Sequence, residues 1–542
     1  MKIAAIDIGS NSIKLLVAEP GPHGTLIPLR REKAVVRLGH ETLLKGHLSS
    51  EAIVRAIRTI GVFKTASLSS GAEHIIAIAT ASVREADNAA PFIKEVESRT
   101  GIRIEVLSGV EEARLIGLAA SQGAHAGRRA LLNIDIGGGS TELSLMKNGT
   151  AISLQSMRIG AVRLSEQFLA SDPPKTREIE AMRREIDGAL EHPVREMKGA
   201  GSPLKGAGSL QRGATWDIVT GTSGTIVAIG AALKSISLAG DAGSSSKGSA
   251  YSDSETDQSA LPSLPITRPA LSKFNRHLAS LTLGERKKIP GISEQRAEII
   301  IAGGQILEQI LHALKIGRLT ACQWGLREGV ILDRLSEFEG GAWSGRPRPL
   351  LDARLAGAET LGLRFRYEEA HGKHVSVLAC KLFDQLQSLH KLTEHDRTLL
   401  AAAAVLHDIG YAISADSHHK HSLYLILNSE LTGFTDLERL MIANIARYHR
   451  KALPKPQHPD FNRLSPDDQE RVWKLGGILR VADAMDRSHQ SRVKNFKCTL
   501  RAGRVLLELL SARRCDHEIW ALQNKKDMFE AAFERTLEVV KD

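Results

Sequence analysis

The chain is poor in aromatic residues, and it contains no long apolar run. Phenylalanine, tryptophan and tyrosine make up 4% of its 542 residues, which leaves few rings for stacking on nucleic-acid bases. We therefore expect no nucleic-acid partner, although the net charge of +10 suits some other polyanion. No stretch reaches the roughly 18 consecutive apolar residues of a membrane-spanning helix, so no membrane span is expected.

Cysteine is also scarce, and its spacing excludes a disulfide framework or a zinc ribbon. The four cysteines are scattered, with no CxxC pair, and they are Cys322, Cys380, Cys498 and Cys515. Such a pattern indicates reduced thiols and a cytoplasmic protein. The first apolar stretch is interrupted at Asp7, so it predicts a strand and not a signal peptide.

The most informative feature of the chain is an internal sequence repeat. Residues 3–17 read IAAIDIGSNSIKLLV, and residues 131–145 read LLNIDIGGGSTELSL. Each copy predicts an apolar strand, then Asp-x-Gly and a tight turn, then a second apolar strand. Two unrelated glycine-rich hairpins are the simpler alternative, but the two copies align without a gap.

The repeated phrase has the chemistry of a phosphate-binding hairpin. Glycine allows a backbone to approach a ligand closely, and successive N–H groups of a turn form a cradle for an anion. The carboxylates Asp7 and Asp135 follow buried strands and could hold a hydrated Mg²⁺. Two such hairpins that face each other would grip a phosphate chain from both sides.

The rest of the pattern divides the chain into α/β units and a helical part. Strands are predicted near 3–8, 13–18, 75–80, 102–107 and 216–220, and helices near 50–68 and 110–121. Residues 241–262 are rich in Ser, Gly and Asp, which predicts a disordered surface insertion. A Gly/Pro-rich linker at 340–349 predicts a domain boundary near 345. The expected domains are 1–126, 127–335 and 350–542.

Seven sequence blocks, taken together, resemble one known family. They are Asp7–Ser12, Ala79–Ala86, Ser108–Arg114, Asp135–Glu142, Gly160–Leu164, Gly221–Ile226 and Gly325–Gly329. In this order they resemble the exopolyphosphatase / guanosine-pentaphosphate phosphatases of the actin-like ATPase superfamily. The resemblance implies duplicated α/β domains with the actin-like (ribonuclease H-like) fold, in which the last helix of domain II packs back on domain I. It also implies a homodimer.

The resemblance assigns roles to named side chains. It places the general base on Glu112, with Asp135 and Glu142 as carboxylates that hold Mg²⁺ or orient water, whereas helix capping could account for one acid of the Glu111–Glu112 pair. Arg84 would pair with phosphate oxygens, unless it forms only a surface ion pair. The other expected phosphate-binding residues are Asp7, Gly9, Ser10, Asn11, Ser12, Gly137, Gly138, Gly139, Ser140, Thr141, Gly221, Ser223 and Gly224.

Histidine is concentrated in the last third of the chain, where 12 of the 20 lie from His371 onward. The pattern His…His-Asp…Asp resembles the HD metal-dependent phosphohydrolases, and it predicts an all-α HD-type domain with a C-terminal extension. The expected ligands are His374, His407, Asp408 and Asp483, with His421 and His449 for a second metal. A mixed set of nitrogen and oxygen ligands suits Mn, Fe or Zn. An HD fold that has lost its metal is the alternative.

Basic residues lie close to these histidines in sequence and suggest a track for a polyanion. They are Lys420, Arg447, Arg450, Lys451, Lys455, Arg487, Arg492 and Lys494, together with His418 and His419. A solvated charged face is the other interpretation, and binding to such a track would weaken steeply with salt.

The combined expectation is a Mg²⁺-dependent exopolyphosphatase that releases orthophosphate from the end of inorganic polyphosphate. Removal of the 5′-γ-phosphate of guanosine pentaphosphate is the close alternative, since both substrates present a terminal phosphoanhydride. A sensor that binds polyphosphate or the guanosine penta- and tetraphosphates is a third reading. A sugar-kinase-like enzyme is disfavoured because no sugar-binding insertion is recognisable.

Overall fold

The computed structural model describes residues 1–21, 25–40, 42–200, 216–241, 265–338, 349–510 and 515–541. The chain forms two compact units, Met1–Arg346 and Pro347–Asp542. The expected insertion over 241–262 lies outside the described residues, apart from Asp241 at the end of a helix. No helix among the described residues is long and apolar enough to cross a membrane.

The first unit contains two mixed β-sheets. The strands of the first sheet are β1 Ile3–Ile8, β2 Ser12–Pro20, β3 Leu26–Val35, β4 His74–Ala79 and β5 Ile104–Val106. Those of the second are β6 Ala130–Ile136, β7 Thr141–Lys147, β8 Thr150–Met157, β9 Ile218–Thr222, β10 Ile266–Thr267 and β11 Arg318–Ala321. The expected α/β class is therefore present in this unit.

The internal repeat extends from the hairpins to the whole sheets. The first sheet has the order β3-β2-β1-β4-β5, and the second has the order β8-β7-β6-β9-β11-β10. Reading each sheet in this order, the first two strand pairings are antiparallel and the next two are parallel. The two copies thus share strand order and strand direction, as a duplicated domain would.

Helices cover the sheets of the first unit. They are Thr42–Lys45, Ser50–Ser69, Ala81–Arg84, Ala89–Thr100, Gly109–Gly123, Ala161–Phe168, Thr176–Ala200, Ser223–Asp241, Arg268–Ser280, Leu283–Arg286, Glu294–Ala297, Ile300–Ala313 and Leu326–Phe338. The helix Leu326–Phe338 packs on the first sheet, where Ile331 lies in one apolar cluster with Ile3 and Leu16. The end of this unit's chain thus returns to the sheet where the chain began.

The second unit is mainly helical but is not all-α. Its helices are Pro349–Arg364, Glu369–Gln385, Gln387–His390, Glu394–Leu406, a 3₁₀ turn Ile409–Ala412, His418–Leu427, Asp436–Arg447, Pro459–Asn462, Pro466–Ala484, Asp516–Lys525 and Asp527–Phe533. A three-stranded sheet follows the order β12-β13-β14, with β12 Asn495–Arg501, β13 Arg504–Leu510 and β14 Thr536–Lys541. This sheet corrects the expectation of an all-α domain, because Val505, Leu507 and Leu509 alternate and bury one face.

Candidate active site and candidate metal centre

The two repeated hairpins have the same turn and meet each other. The N–H of Gly9 donates to the carbonyl of Ser12 at 3.2 Å, and the N–H of Gly137 donates to that of Ser140 at 2.9 Å. A Cβ placed on Gly138 would lie 3.1 Å from the Cβ of Ser10. The first copy's turn therefore touches the second copy's turn, as two facing phosphate grips require.

The helix Gly109–Gly123 presents two glutamates with different surroundings. It begins after Ser108, whose hydroxyl accepts a hydrogen bond from the N–H of Glu111 at 3.2 Å. The Glu111 carboxylate forms an ion pair with Arg114 at 2.7 Å, and Arg114 also pairs with Asp333 at 2.8 Å. Glu111 therefore takes part in a buried ion-pair network, so Glu112 is the member of the pair that is available as a general base.

That second glutamate, Glu112, contacts the arginine expected in the site. The Arg84 Nη1 donates to Glu112 Oε2 at 3.1 Å and to the carbonyl of Leu107 at 2.9 Å. Burial raises the pKa of Glu112 to about 7, Arg84 opposes the rise, and Asp135 and Asp7 add to it. A carboxylate with this pKa near neutrality is suited to accept a proton from water.

Glu142 lies on β7, where Ser156 holds one of its two carboxylate oxygens. Its Oε1 accepts a hydrogen bond from the Ser156 hydroxyl at 2.8 Å, while its Oε2 is buried without a partner among the described residues. Burial raises the pKa of Glu142 well above its ordinary value, and Glu112 and Asp135 raise it further, against the opposing effects of Ser140 and Arg84. The three acids are therefore near enough to repel one another.

Asp135 and Asp7 complete the acidic floor of the cleft. Asp135 Oδ2 accepts a hydrogen bond from the Thr222 hydroxyl at 2.5 Å. Burial raises the pKa of Asp135 to about 6. Burial also raises the pKa of Asp7, and the positive charge of Lys14 opposes that rise. A divalent cation would relieve this crowding of carboxylates.

The donor set fits Mg²⁺ held partly through water. Among the described residues of the cleft, no three ligand atoms lie within 4.8 Å of one another, so the protein would supply only a few direct ligands. Mg²⁺ retains several waters and is commonly bound by one or two carboxylates together with substrate phosphates. Asp135 and Glu142 Oε2 are the groups that would hold it.

The expected phosphate-binding residues divide into those at the turns and those used for packing. Gly9, Ser10, Asn11, Gly137, Gly138 and Gly139 form the turns, and Ser12 and Ser140 close them. In contrast, the Thr141 hydroxyl donates to the carbonyl of Ile159 at 2.6 Å and is not free for a ligand. Gly221 lies within β9 against Ile226, so its lack of a side chain serves packing.

The loop after β9 has the features of a ligand cradle. Ser223 has a φ of 77°, a left-handed conformation that is unusual for serine, and its hydroxyl is buried without a partner among the described residues. The next residue, Gly224, lies against the guanidinium of Arg296, which leaves no room for a Cβ. A polar ligand between Ser223 and this guanidinium would satisfy the hydroxyl.

Two cationic residues of the cleft were missed by sequence reasoning. Lys14 lies opposite Asp7, in the position that Glu142 occupies opposite Asp135 in the second copy. Burial lowers the pKa of Lys14, against the effect of Asp7, and Arg327 and Arg296 lower it further. Aligning the repeat would have revealed Lys14, whereas no motif marks Arg296.

Comparison with known proteins decides the family. The model described as the Ppx/GppA phosphatase family matches residues 16–338, and that for Ppx/GppA phosphatase, domain III, matches residues 353–527. The chain belongs to the Ppx/GppA phosphatase family. As a Ppx/GppA phosphatase it is a hydrolase of phosphoanhydride bonds.

Relatives of this Ppx/GppA phosphatase are named either exopolyphosphatase or guanosine-5'-triphosphate,3'-diphosphate pyrophosphatase. Exopolyphosphatase 1 of Mycobacterium leprae is 32% identical over 345 residues, which is 63% of this chain and 92% of the relative. Guanosine-5'-triphosphate,3'-diphosphate pyrophosphatase of Vibrio vulnificus is 30% identical over 490 residues, which is 90% of this chain and 87% of the relative. The crystal structure of an exopolyphosphatase from Cytophaga hutchinsonii shares the fold, with a TM-score of 0.53, 24% identity, and coverage of 63% of this chain and 99% of that one.

In the second unit of this Ppx/GppA phosphatase, histidines and aspartates converge on Asp408. Three groups have ligand atoms within 4.8 Å of one another: His371, His407 and Asp483; His371, Asp408 and His489; and Asp408, His418 and His449. The Nε2 atoms of His371 and His407 and the Oδ1 of Asp408 are buried without a hydrogen-bond partner among the described residues. Such orphaned ligand atoms fit a bound transition metal.

The other ring nitrogen of each histidine is already engaged. The Nδ1 atoms of His407 and His449 lie 2.7 and 2.6 Å from the carbonyls of Ala404 and Ala446, and that of His371 lies 2.9 Å from Asp486. These contacts favour the tautomer with a lone pair on Nε2, which is the usual arrangement around a metal-bound histidine.

Two of the expected ligands are not in the cluster. The His374 Nε2 lies 3.0 Å from the carbonyl of Val493, and His371, three residues earlier, takes its place. His421 is likewise outside the three groups, and His418 is within them. Of the expected residues, the structure brings together His407, Asp408, Asp483 and His449.

Proposed function

We propose that this Ppx/GppA phosphatase is an exopolyphosphatase, which hydrolyses the terminal phosphoanhydride of inorganic polyphosphate with Mg²⁺ and releases orthophosphate. The observation that carries the proposal is the position of Glu112, a buried carboxylate with a pKa raised to about 7 beside Arg84 and the two facing hairpins. The hairpins bind phosphate oxygens by backbone N–H groups and by the hydroxyls of Ser10 and Ser140.

Each residue of the cleft has a separate role in hydrolysis. Ionised Glu112 takes a proton from the attacking water, and Arg84 holds an oxygen of the terminal phosphate while its other contacts fix it to Leu107. Bound Mg²⁺ supplies charge neutralisation at the phosphates. The N–H groups of the turns stabilise the charge on the leaving phosphate.

A comparison of two substrates tests the proposal. Inorganic polyphosphate and guanosine pentaphosphate are supplied at equal concentrations of terminal phosphate with Mg²⁺, and orthophosphate release is followed for each. We expect the higher kcat/KM for polyphosphate. A higher value for guanosine pentaphosphate would support the alternative, which the similarity to the Vibrio relative over 90% of this chain favours. Release from neither would support the sensor.

The Asp408-centred cluster supports a second candidate function, that of a metal-dependent phosphohydrolase of the HD type. Burial would raise the pKa of Asp408, yet His407, His418 and His449 hold it well below its ordinary value, so it is ionised. His407 lies 3.5 Å from Oδ2 of Asp408, and His418 and His449 lie 3.2 and 3.5 Å from its Oδ1, so ligand groups are present on both sides of this carboxylate and would hold one or two ions. A bound metal would supply Lewis-acid activation of a phosphate ester.

The surroundings of this cluster are positively charged, which suits an anionic substrate or the end of a polyphosphate track. Burial lowers the pKa of His419 to about 4, and Arg450, Lys451 and Arg447 lower it further. Arg450 also lies 3.1 Å from the Nε2 of His418. The homodimer that the family resemblance implies stays a prediction.

Metal analysis of the double variant His407→Ala, Asp408→Ala tests the second candidate. Wild type and variant are grown with Mn²⁺ and Fe²⁺ and analysed for metal after purification. We expect the wild type to retain a transition metal that the variant lacks. Equal metal contents in the two proteins would contradict the second candidate function and would indicate that the domain only binds polyanions.

A further inference from the structure

Ser156 lies in the cleft but belongs to none of the phosphate-binding blocks. It is on β8, directly opposite Glu142 on β7. Its hydroxyl donates to Glu142 Oε1 at 2.8 Å. The partner of Ser156 is therefore one of the proposed Mg²⁺ ligands.

The same serine touches the start of the helix that carries Glu112. A Cβ placed on Gly109 would lie 2.6 Å from the Cβ of Ser156, so the helix can begin here only with glycine. That same point lies 3.8 Å from the Nη2 of Arg84. Ser156 thus sits where the helix of Glu112, the guanidinium of Arg84 and the carboxylate of Glu142 come together.

The hydrogen bond of Ser156 decides which oxygen of Glu142 is available. With Oε1 engaged, the buried Oε2 is the atom left without a partner among the described residues. An ionised carboxylate whose rotation is not fixed would present either oxygen, and it would lose conformational entropy each time that it bound an ion.

We propose that Ser156 is a positioning residue, which fixes Glu142 so that its Oε2 is presented to Mg²⁺. This inference rests on the proposed function of the cleft. It assigns Ser156 no contact with substrate: the serine acts only through Glu142. Groups that orient metal ligands in this way typically change metal affinity or activity by about 10- to 100-fold when they are removed.

The test compares Ser156→Ala with Ser153→Ala, a substitution of a serine on the same strand. Mg²⁺ affinity is measured by titration calorimetry on the full chain without substrate, and kcat and KM are measured with polyphosphate. We expect Ser156→Ala to weaken Mg²⁺ binding about tenfold and to lower kcat by a similar factor, with little change in the KM for polyphosphate. Ser153→Ala should match the wild type, and thermal unfolding checks that both variants fold.

A double-mutant cycle separates positioning from a general structural role. If Ser156 acts through Glu142, adding Ser156→Ala to Glu142→Ala should not weaken Mg²⁺ binding further. Wild-type Mg²⁺ affinity in Ser156→Ala, or losses that multiply in the double variant, would overturn the inference while leaving the proposed function intact. Wild-type affinity in Glu142→Ala would instead remove Glu142 from the Mg²⁺ site, and the inference with it.

Discussion

Four carboxylates share the cleft, three of them buried and the fourth, Asp7, partly buried, and their ionisation sets its chemistry. Burial raises the pKa values of Asp7, Glu112, Asp135 and Glu142. Arg84 opposes this for Glu112 and Lys14 does so for Asp7. Because a general base acts only when it is deprotonated, the pKa of Glu112 predicts how activity depends on pH.

Activity should rise with pH as Glu112 ionises. The midpoint should lie at or below the pKa of about 7 that Glu112 has without a metal, because bound Mg²⁺ would offset the repulsion from Asp135 and Asp7. Below that pH the carboxyl group is protonated and cannot accept a proton from water, so kcat/KM should fall about tenfold per pH unit. The measurement is kcat/KM for polyphosphate from pH 5 to pH 9 at saturating Mg²⁺. A profile that is flat on the acid side would remove Glu112 as the base.

In the second unit, Asp486 would orient His371, one of the proposed metal ligands. It is fully buried, its Oδ2 lies 2.9 Å from the Nδ1 of His371, and its Oδ1 accepts from the N–H of Ser491 at 2.7 Å. Asp486→Asn should weaken retention of the transition metal about tenfold, because a neutral amide supports the imidazole less well. Dialysis against graded chelator followed by metal analysis measures this. Asp384→Asn, which alters an exposed pair with Arg397 in the same unit, is the control and should leave the metal content unchanged.

At the scale of elements, the contact between the two hairpins depends on glycine. A Cβ on Gly139 would lie 2.8 Å from the Cβ of Ala81 and 3.1 Å from the Oγ of Ser10. Gly139→Ala should therefore push this turn away both from Ser10 in the other hairpin and from the helix Ala81–Arg84, and raise the KM for polyphosphate about tenfold or more. Gly188→Ala, within a helix and with nothing within 4 Å of the added carbon, should leave KM unchanged. Equal KM values for the two variants would show that the turns need not touch.

The hairpins were predictable from sequence because their signal is local and repeated. Strand, turn and strand follow one another within 15 residues, and Asp7 and Asp135 mark the same point in both copies. Glu142 was predicted from the family resemblance and not from the repeat. Its equivalent in the first copy, Lys14, belongs to no family block and was not predicted.

The histidine ligands were less predictable, for a single physical reason. His371 and His374 lie three residues apart on one helix, as do His418 and His421. Residues at this spacing share a helix face, so the sequence alone cannot say which of them is directed at Asp408. Packing decides it: His371 and His418 are buried, whereas His374 is drawn to the carbonyl of Val493.

At the scale of the whole molecule, each of the two units has a core of its own. The largest apolar cluster runs from Ala358 to Leu537 within the second unit, and the remaining clusters lie in the first. A chain ended at residue 346 should therefore fold and should hydrolyse short polyphosphates with Mg²⁺. It should lose affinity for long chains, because the basic track with Arg447 and Arg450 is removed. KM values measured against chain length, for both proteins, would contradict this if they coincide at every length.

The most direct test of the whole account follows polyphosphate through hydrolysis by the wild type and by Glu112→Gln. Orthophosphate release is quantified while gel electrophoresis follows the length of the remaining chain. For the wild type we predict that chains shorten progressively from the end, with orthophosphate release that accounts for all of the phosphate lost from the chain. For the glutamine variant, which keeps the shape of Glu112 but cannot take up a proton, we predict that turnover falls by about 10²-fold or more. Near-normal release by Glu112→Gln, or internal cleavage of the chain by the wild type, would contradict the assignment of this cleft as an exopolyphosphatase site.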